Sequence, residues 1–129
     1  MCNSRRKILV VEDDKILRLT VLSQLKRLKC SGTAIVNGKE ALSAIKAGKY
    51  DLILMDVQMP IYSGLEATEE IRNWEMKASR KRTPIIAMTA NPNRKQCFDA
   101  GMDDYLFKPH SLSDLESIVN KWAVERRTA

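Results

Sequence analysis

The sequence predicts an α/β fold of three layers, a parallel sheet with helices on both faces. Continuous apolar runs suited to strands buried on both sides occur at residues 8–11, 52–55 and 85–88, with weaker runs at 33–36 and 104–107. Stretches with apolar residues at helical spacing lie between them. Five strands alternating with five helices require parallel pairing through right-handed crossovers. This alternation fixes the class and leaves the strand order open.

Each element can be justified in turn. The first strand runs into Glu12-Asp13-Asp14, and Asp14 is suited to cap the helix carrying Leu17, Val21, Leu25 and Leu28. After the weak second strand comes a helix with Ala41, Leu42 and Ile45 on one face. The third strand, the run Leu52-Ile-Leu-Met55, closes on Asp56 and is followed by Val57-Gln58-Met59-Pro60 and a turn at Ser63-Gly64. Leu65, Thr68, Ile71 and Trp74 mark the third helix, and a basic loop at 77–82 follows it. The fourth strand ends in Thr89-Ala90, and the helix at 93–100 has only a short apolar stripe. Lys108-Pro109 stops the fifth strand. The last helix has the clearest pattern, with Leu112, Leu115, Ile118, Val119 and Trp122 on one stripe. Ser111 and Asp114 form its capping-box-like start, and it is expected to run to about residue 127. Gly38, Gly48, Gly64 and Gly101 punctuate junctions where a left-handed or tight backbone is expected.

A chain of 129 residues, 44% apolar and 29% charged, suits one domain over 1–129 with its core at about 6–126. The apolar run after the basic N-terminus is too short for a signal peptide or a membrane span, so a soluble protein is expected. Cys2, Cys30 and Cys97 are widely spaced, which argues against a disulfide framework or a zinc site and for a reducing cytosol. The net charge of +6 is scattered over Arg5-Arg6-Lys7, the 77–82 loop and Arg126-Arg127 without interleaved aromatics. No direct contact with nucleic acid or membrane is expected. The 77–82 loop is either a partner contact or a solvated turn.

In an open parallel sheet the carboxyl ends of the strands share one edge, where ligands bind. Glu12, Asp13, Asp56, Thr89 and Lys108 all fall at such ends, from segments far apart in sequence. Two carboxylates about 4 Å apart repel by roughly 4 kcal/mol at an effective dielectric near 20, so the acid cluster requires a cation or raised pKa values. Hard oxygen donors with no His or Cys beside them favour Mg²⁺ over zinc, and Mg²⁺ keeps water positions that phosphate oxygens can take. The chemistry indicated is phosphoryl transfer.

Four motifs in order carry a resemblance: Val10-Val11-Glu12-Asp13, Asp56 with Met59-Pro60 and Gly64, Thr89-Ala90, and Lys108-Pro109. Together they resemble the receiver domain of two-component response regulators over nearly the whole chain. Met55-Asp-Val-Gln-Met-Pro60, Ile86-Ala-Met-Thr-Ala90 and Gly101-Met-Asp-Asp-Tyr105 are most similar to receivers of hybrid histidine kinases and phosphorelays.

The resemblance implies a flavodoxin-like (βα)5 doubly wound sheet of order 2-1-3-4-5, and cytoplasmic residence, alone or as the cytoplasmic part of a membrane kinase. It implies that Asp56 accepts a phosphoryl group from the phosphohistidine of a histidine kinase or histidine phosphotransfer protein. Asp13 would bind Mg²⁺ directly, Glu12 through water, and the Gln58 backbone carbonyl would complete the set with Asp56. Lys108 and Thr89 would take phosphoryl oxygens, and Tyr105 would follow Thr89 inward as the aromatic switch. The face of the fourth helix, fifth strand and fifth helix would then meet a downstream partner.

Such a protein phosphorylates itself and slowly hydrolyses the product, and is not a multiple-turnover enzyme. Gln58 stands where an aspartate-nucleophile phosphatase usually needs its second acid. The competing reading is a degenerate receiver acting as a constitutive binding module. His110 is expected in a surface or edge-packing role, and Met59, Met88 and Met102 in packing. Gln58 and Asn91 occupy positions that, by the resemblance, tune the lifetime of the phosphoryl group.

Overall fold

The structure, a computed structural model, describes residues 6–58, 63–90 and 93–123. Met59, Pro60, Asn91, Cys2, Arg5 and Arg126-Arg127 lie outside the described residues, as does the expected extension of the last helix to about 127. The elements run β1 (Lys7–Val11), α1 (Lys15–Arg27), β2 (Ser31–Ile35), α2 (Lys39–Ala47), β3 (Leu52–Asp56), α3 (Gly64–Lys77), β4 (Ile85–Thr89), α4 (Arg94–Ala100), β5 (Asp104–Phe107) and α5 (Leu112–Trp122). All strand pairs are parallel and the order is β2-β1-β3-β4-β5, as the resemblance implied.

Strand alternation divides the core into two layers. Ile8, Val10, Leu52, Leu54, Ile86 and Met88 pack with Val21 and Leu25 of α1 and Leu115 and Val119 of α5. Leu9, Val11, Ile53, Met55, Ile85 and Ala87 face the other way, onto Ala41 and Ile45 of α2, Ala67 and Ile71 of α3 and Cys97 of α4. Because β1, β3 and β4 are covered on both sides, they read as unbroken apolar runs. By contrast β2 is an edge strand. It begins two residues earlier than expected and leaves Ser31, Gly32 and Thr33 exposed, so its weak apolar signal was displaced toward its far end.

The helix ends follow their sequence signals. Asp14 Oδ1 accepts from the amides of Ile16 and Leu17 at 2.9 and 3.1 Å, which makes it the N-cap of α1. Ser111 with Asp114 closes a full capping box on α5, and Ser63 with Glu66 closes another on α3.

The glycine expectation needs correction at two positions, since Gly38 (φ −69°) and Gly48 (φ −142°) adopt ordinary backbone conformations. Gly101 alone of the four has a positive φ, 110°, where it ends α4. The requirement at Gly64 is proximity. A Cβ there would lie 2.8 Å from Met55 Cγ and 3.0 Å from the Asp56 carbonyl carbon.

The buried stripe of α3 is also rotated from the expected one. Ala67, Thr68, Ile71 and Glu75 are buried, whereas Leu65 and Trp74 are only half-buried. Glu75 turns inward because its carboxylate accepts from Arg72 Nη1 and from the Thr83 amide, both at 2.8 Å. Arg72 also reaches the carbonyls of Gly101 and Thr83 and the Asp103 carboxylate. Arg82 pairs with Asp103 at 2.7 Å and Arg80 lies over the Trp74 ring, so the basic loop is partly tied to the body of the fold.

Candidate functional site at the carboxyl edge of the sheet

The register brings the predicted residues together. Val11 pairs with Met55, Asp56 with Met88, and Thr89 with Phe107, so the ends of β1, β3, β4 and β5 share one edge. Glu12 continues from β1, and its amide donates to the Ile35 carbonyl at 3.1 Å. Lys108 follows β5, its amide held by the Thr89 carbonyl at 2.9 Å. Glu12, Asp56 and Thr89 are each 1% exposed, while Asp13 is exposed.

Lys108 is the cation at the centre. Its Nζ donates to Asp56 Oδ1 at 2.9 Å and lies 3.1 Å from Glu12 Oε1. Asp56 Oδ1 also accepts from the Gln58 amide at 3.1 Å, and the Asp14 amide donates to Glu12 Oε2 at 3.2 Å. Arg18, which the sequence reading did not single out, donates to the carbonyls of Glu12 and Asp13 at 3.0 and 3.3 Å and so steadies the acidic turn.

The electrostatics show an excess of negative charge. Burial pushes the Glu12 carboxyl up to about 7, the neighbouring Asp56 carboxylate pushes the same way, and Lys108 opposes both. Burial would lower the Lys108 ammonium, yet its contacts with Asp56 and Glu12 hold it above the ordinary lysine value. One ammonium does not satisfy both acids. Although it lies within ion-pair range of Lys108, Glu12 Oε1 makes no hydrogen bond of acceptable geometry among the described residues. Carboxylate oxygens of Glu12, Asp13 and Asp56 lie within 4.8 Å of one another. An orphaned buried oxygen in an all-oxygen donor set fits a hard divalent cation.

Two predicted residues lie near the cluster rather than in it. Tyr105, on β5 opposite Ala87, is half-buried; its ring centroid is 4.8 Å from Phe107, and Arg94 sits 4.6 Å above it. His110 Nε2 lies 2.8 Å from Gln24 Oε1, linking the start of α5 to α1, and burial lowers its pKa. It is an edge-packing residue, as expected. Met88 and Met102 are buried in the two core layers, also as expected.

Comparison with known proteins agrees with this geometry. The profile of the response regulator receiver domain matches residues 8–120. The chain belongs to this family. The receiver domain is 41% identical over 121 residues to hybrid signal transduction histidine kinase G of Dictyostelium discoideum, covering 90% of the chain and 4% of the kinase. To sensor protein GacS of Pseudomonas syringae pv. syringae it is 38% identical over 119 residues, covering 90% of the chain and 13% of that protein. It therefore spans a small fraction of these curated relatives.

Among solved structures, it is similar to the receiver domain of sensor histidine kinase PA1611 from Pseudomonas aeruginosa PAO1, which has a magnesium ion coordinated in the active site cleft. The TM-score is 0.82 and the identity 34%, covering 93% of this chain and 98% of that one. A chain in the co-crystal of the Saccharomyces cerevisiae histidine phosphotransfer protein Ypd1 with the receiver domain of its downstream response regulator Ssk1 matches with a TM-score of 0.86 and 32% identity. That match covers 92% of this chain and 89% of the other.

Proposed function

We propose that this receiver domain takes a phosphoryl group onto Asp56 from the phosphohistidine of a histidine kinase or histidine phosphotransfer protein. The observation that carries the proposal is the Lys108 ammonium bonded to Asp56 beside Glu12, in a cluster with one orphaned acid oxygen. A carboxylate oxygen of Asp56 attacks phosphorus, and the P–N bond breaks as the O–P bond forms. The electron pair returns to the imidazole nitrogen, which takes a proton from water. Since the nucleophile is already ionised, no protein base is needed.

Asp13, Glu12, Asp56 and the Gln58 carbonyl would hold Mg²⁺, with Glu12 acting through water. The ion supplies neutralisation of charge on the transferring group. The phosphoryl group places more charge and more acceptor oxygens where one carboxylate stood. Lys108 pairs with one oxygen, and the Thr89 hydroxyl moves to another. Tyr105 follows, altering the surface formed by α4, β5 and α5 for a downstream partner. Hydrolysis of the acyl phosphate then resets the domain slowly, in keeping with a switch rather than a turnover enzyme. The unit is one domain over 1–129 with its core at about 6–126.

The intact acid cluster with Lys108 counts against the constitutive binding module. No helix among the described residues is long and apolar enough to cross a membrane, and a cytoplasmic location is part of the proposal. Treatment with a phosphohistidine donor and Mg²⁺ should raise the intact mass by one phosphoryl group, and Asp56→Asn should abolish the gain. No gain with a donor active on another receiver would refute the assignment.

A further inference from the structure

A second recess lies at the opposite edge of the sheet, where the strands begin. It is a cleft of about 520 Å³ between the C-terminal ends of α2 and α3, floored by the segments that lead into β3 and β4. Its walls include the half-buried rings of Tyr50 and Trp74 and the side chains of Lys49, Arg80, Lys81 and Arg82. The volume is that of a small-molecule site.

The charges are unevenly committed. Arg82 is bonded to Asp103, and the one lining acid, Asp51, accepts from the Lys7 amide at 2.8 Å. Among the described residues Lys49 and Lys81 make no ion pair, and Arg80 is engaged by the Trp74 ring, 5.4 Å from its centroid. The C-terminal ends of α2 and α3 bring partial negative charge to the cleft. Lys46 and Lys77 in their last turns offset it, so Lys49, Arg80 and Lys81 outnumber the one lining acid, Asp51.

We propose that this cleft binds a nucleotide, its base against the Tyr50 and Trp74 rings and its phosphates on Lys49, Arg80 and Lys81. Flat aromatic surface and three cations without an ion pair among the described residues, Arg80 of the three stacked on Trp74, match within one recess the two halves of that ligand class, a stacking base and an anionic tail. A purely apolar ligand would leave the cations unused, and a simple anion would leave the rings unused. The cleft lies at the sheet edge opposite Asp56, so the proposal does not depend on phosphoryl acceptance.

The test is equilibrium dialysis of the full chain with ATP, GTP and AMP in EDTA, which keeps divalent ions from the acidic edge. It is paired with Trp74 fluorescence in a Trp122→Phe background. Saturable binding with a Kd on the order of 10 µM to 1 mM and quenching of Trp74 is expected. Lys49→Ala/Lys81→Ala and Arg80→Ala should each weaken it tenfold or more, and Asp56→Asn should leave it unchanged. Absence of saturable binding, binding unaffected by the cleft substitutions, or pyrophosphate binding as tightly as any nucleotide would each overturn the proposal.

Discussion

Gly64 offers a direct test of how the backbone around Asp56 is built. Replacing it with alanine brings two opposing effects. Alanine is the better helix former by about 1 kcal/mol in a helix interior, and less in the first turn, where residue 64 lies. Against this, the new methyl would meet the Asp56 carbonyl oxygen inside contact distance and Met55 Cγ at 2.8 Å. Neither neighbour can retreat, because β3 is hydrogen-bonded on both sides and Met55 and Asp56 are almost wholly buried. Forcing a methyl into a packed site of this kind costs roughly 1–3 kcal/mol, so the clash outweighs the propensity gain. Urea unfolding followed by circular dichroism should show a lower midpoint with an unchanged slope, by about 1 M for a slope of 1–3 kcal/mol per M. Phosphoryl uptake should fall as well, since relief of the clash must move the Asp56 backbone. A variant as stable as the parent, or more so, would show that the turn relaxes outward and that no close approach constrains residue 64.

Three further outcomes follow from the site and its supports. Millimolar Mg²⁺ should stabilise the fold by about 1.4 kcal/mol at tenfold excess over its Kd, and an unchanged melting temperature would count against a metal on Glu12, Asp13 and Asp56. In chelator, the folded state keeps its proton on Glu12 to about pH 7 whereas the unfolded chain releases it near 4.5. Stability should therefore decline as pH rises through that window, by on the order of 3 kcal/mol. Glu12→Gln should flatten the decline, and a parallel slope in that variant would place the effect elsewhere. Arg72→Ala strands the buried Glu75 carboxylate and removes a partner of Asp103, so a loss of about 3–5 kcal/mol is expected in denaturant melts. A loss under about 1 kcal/mol would mean that water replaces the guanidinium.

Much of the architecture was legible because burial writes itself into composition. The central strands β1, β3 and β4 stand out as apolar runs because helices cover both of their faces. Asp14, Ser111 and Asp114 announced their helix starts because a cap needs a short oxygen-bearing side chain. The edge strand β2 was displaced in the reading because half of it faces water. The stripe of α3 was misphased because Glu75 is buried through its bonds to Arg72 and Thr83, partners that periodicity cannot supply.

At the site, Glu12, Asp13, Asp56, Thr89 and Lys108 were readable as strand-end polar residues in order. Arg18 was not, because it acts on backbone carbonyls through a long side chain. Gly64 was read as a left-handed or tight position, and of the two it is the tight one, its constraint coming from a neighbour in space rather than from its own φ.

The Arg72 cluster also bears on how motion is distributed through β4 and β5. Asp103 and Ile85 are joined by two hydrogen bonds at the start of these strands, one between backbone groups, 2.8 Å from the Asp103 amide to the Ile85 carbonyl, and one to a side chain, 2.9 Å from the Ile85 amide to the Asp103 carboxylate. Arg72 and Arg82 grip the same carboxylate. One end of the strand pair is thus pinned to α3, while the other carries Thr89 and Phe107 at the reactive edge. A displacement at that edge on phosphorylation would then act as a lever about a fixed pivot, largest at the tip and smallest at residue 103. Amide exchange should accordingly change near Thr89 on phosphorylation and stay slow at Ile85.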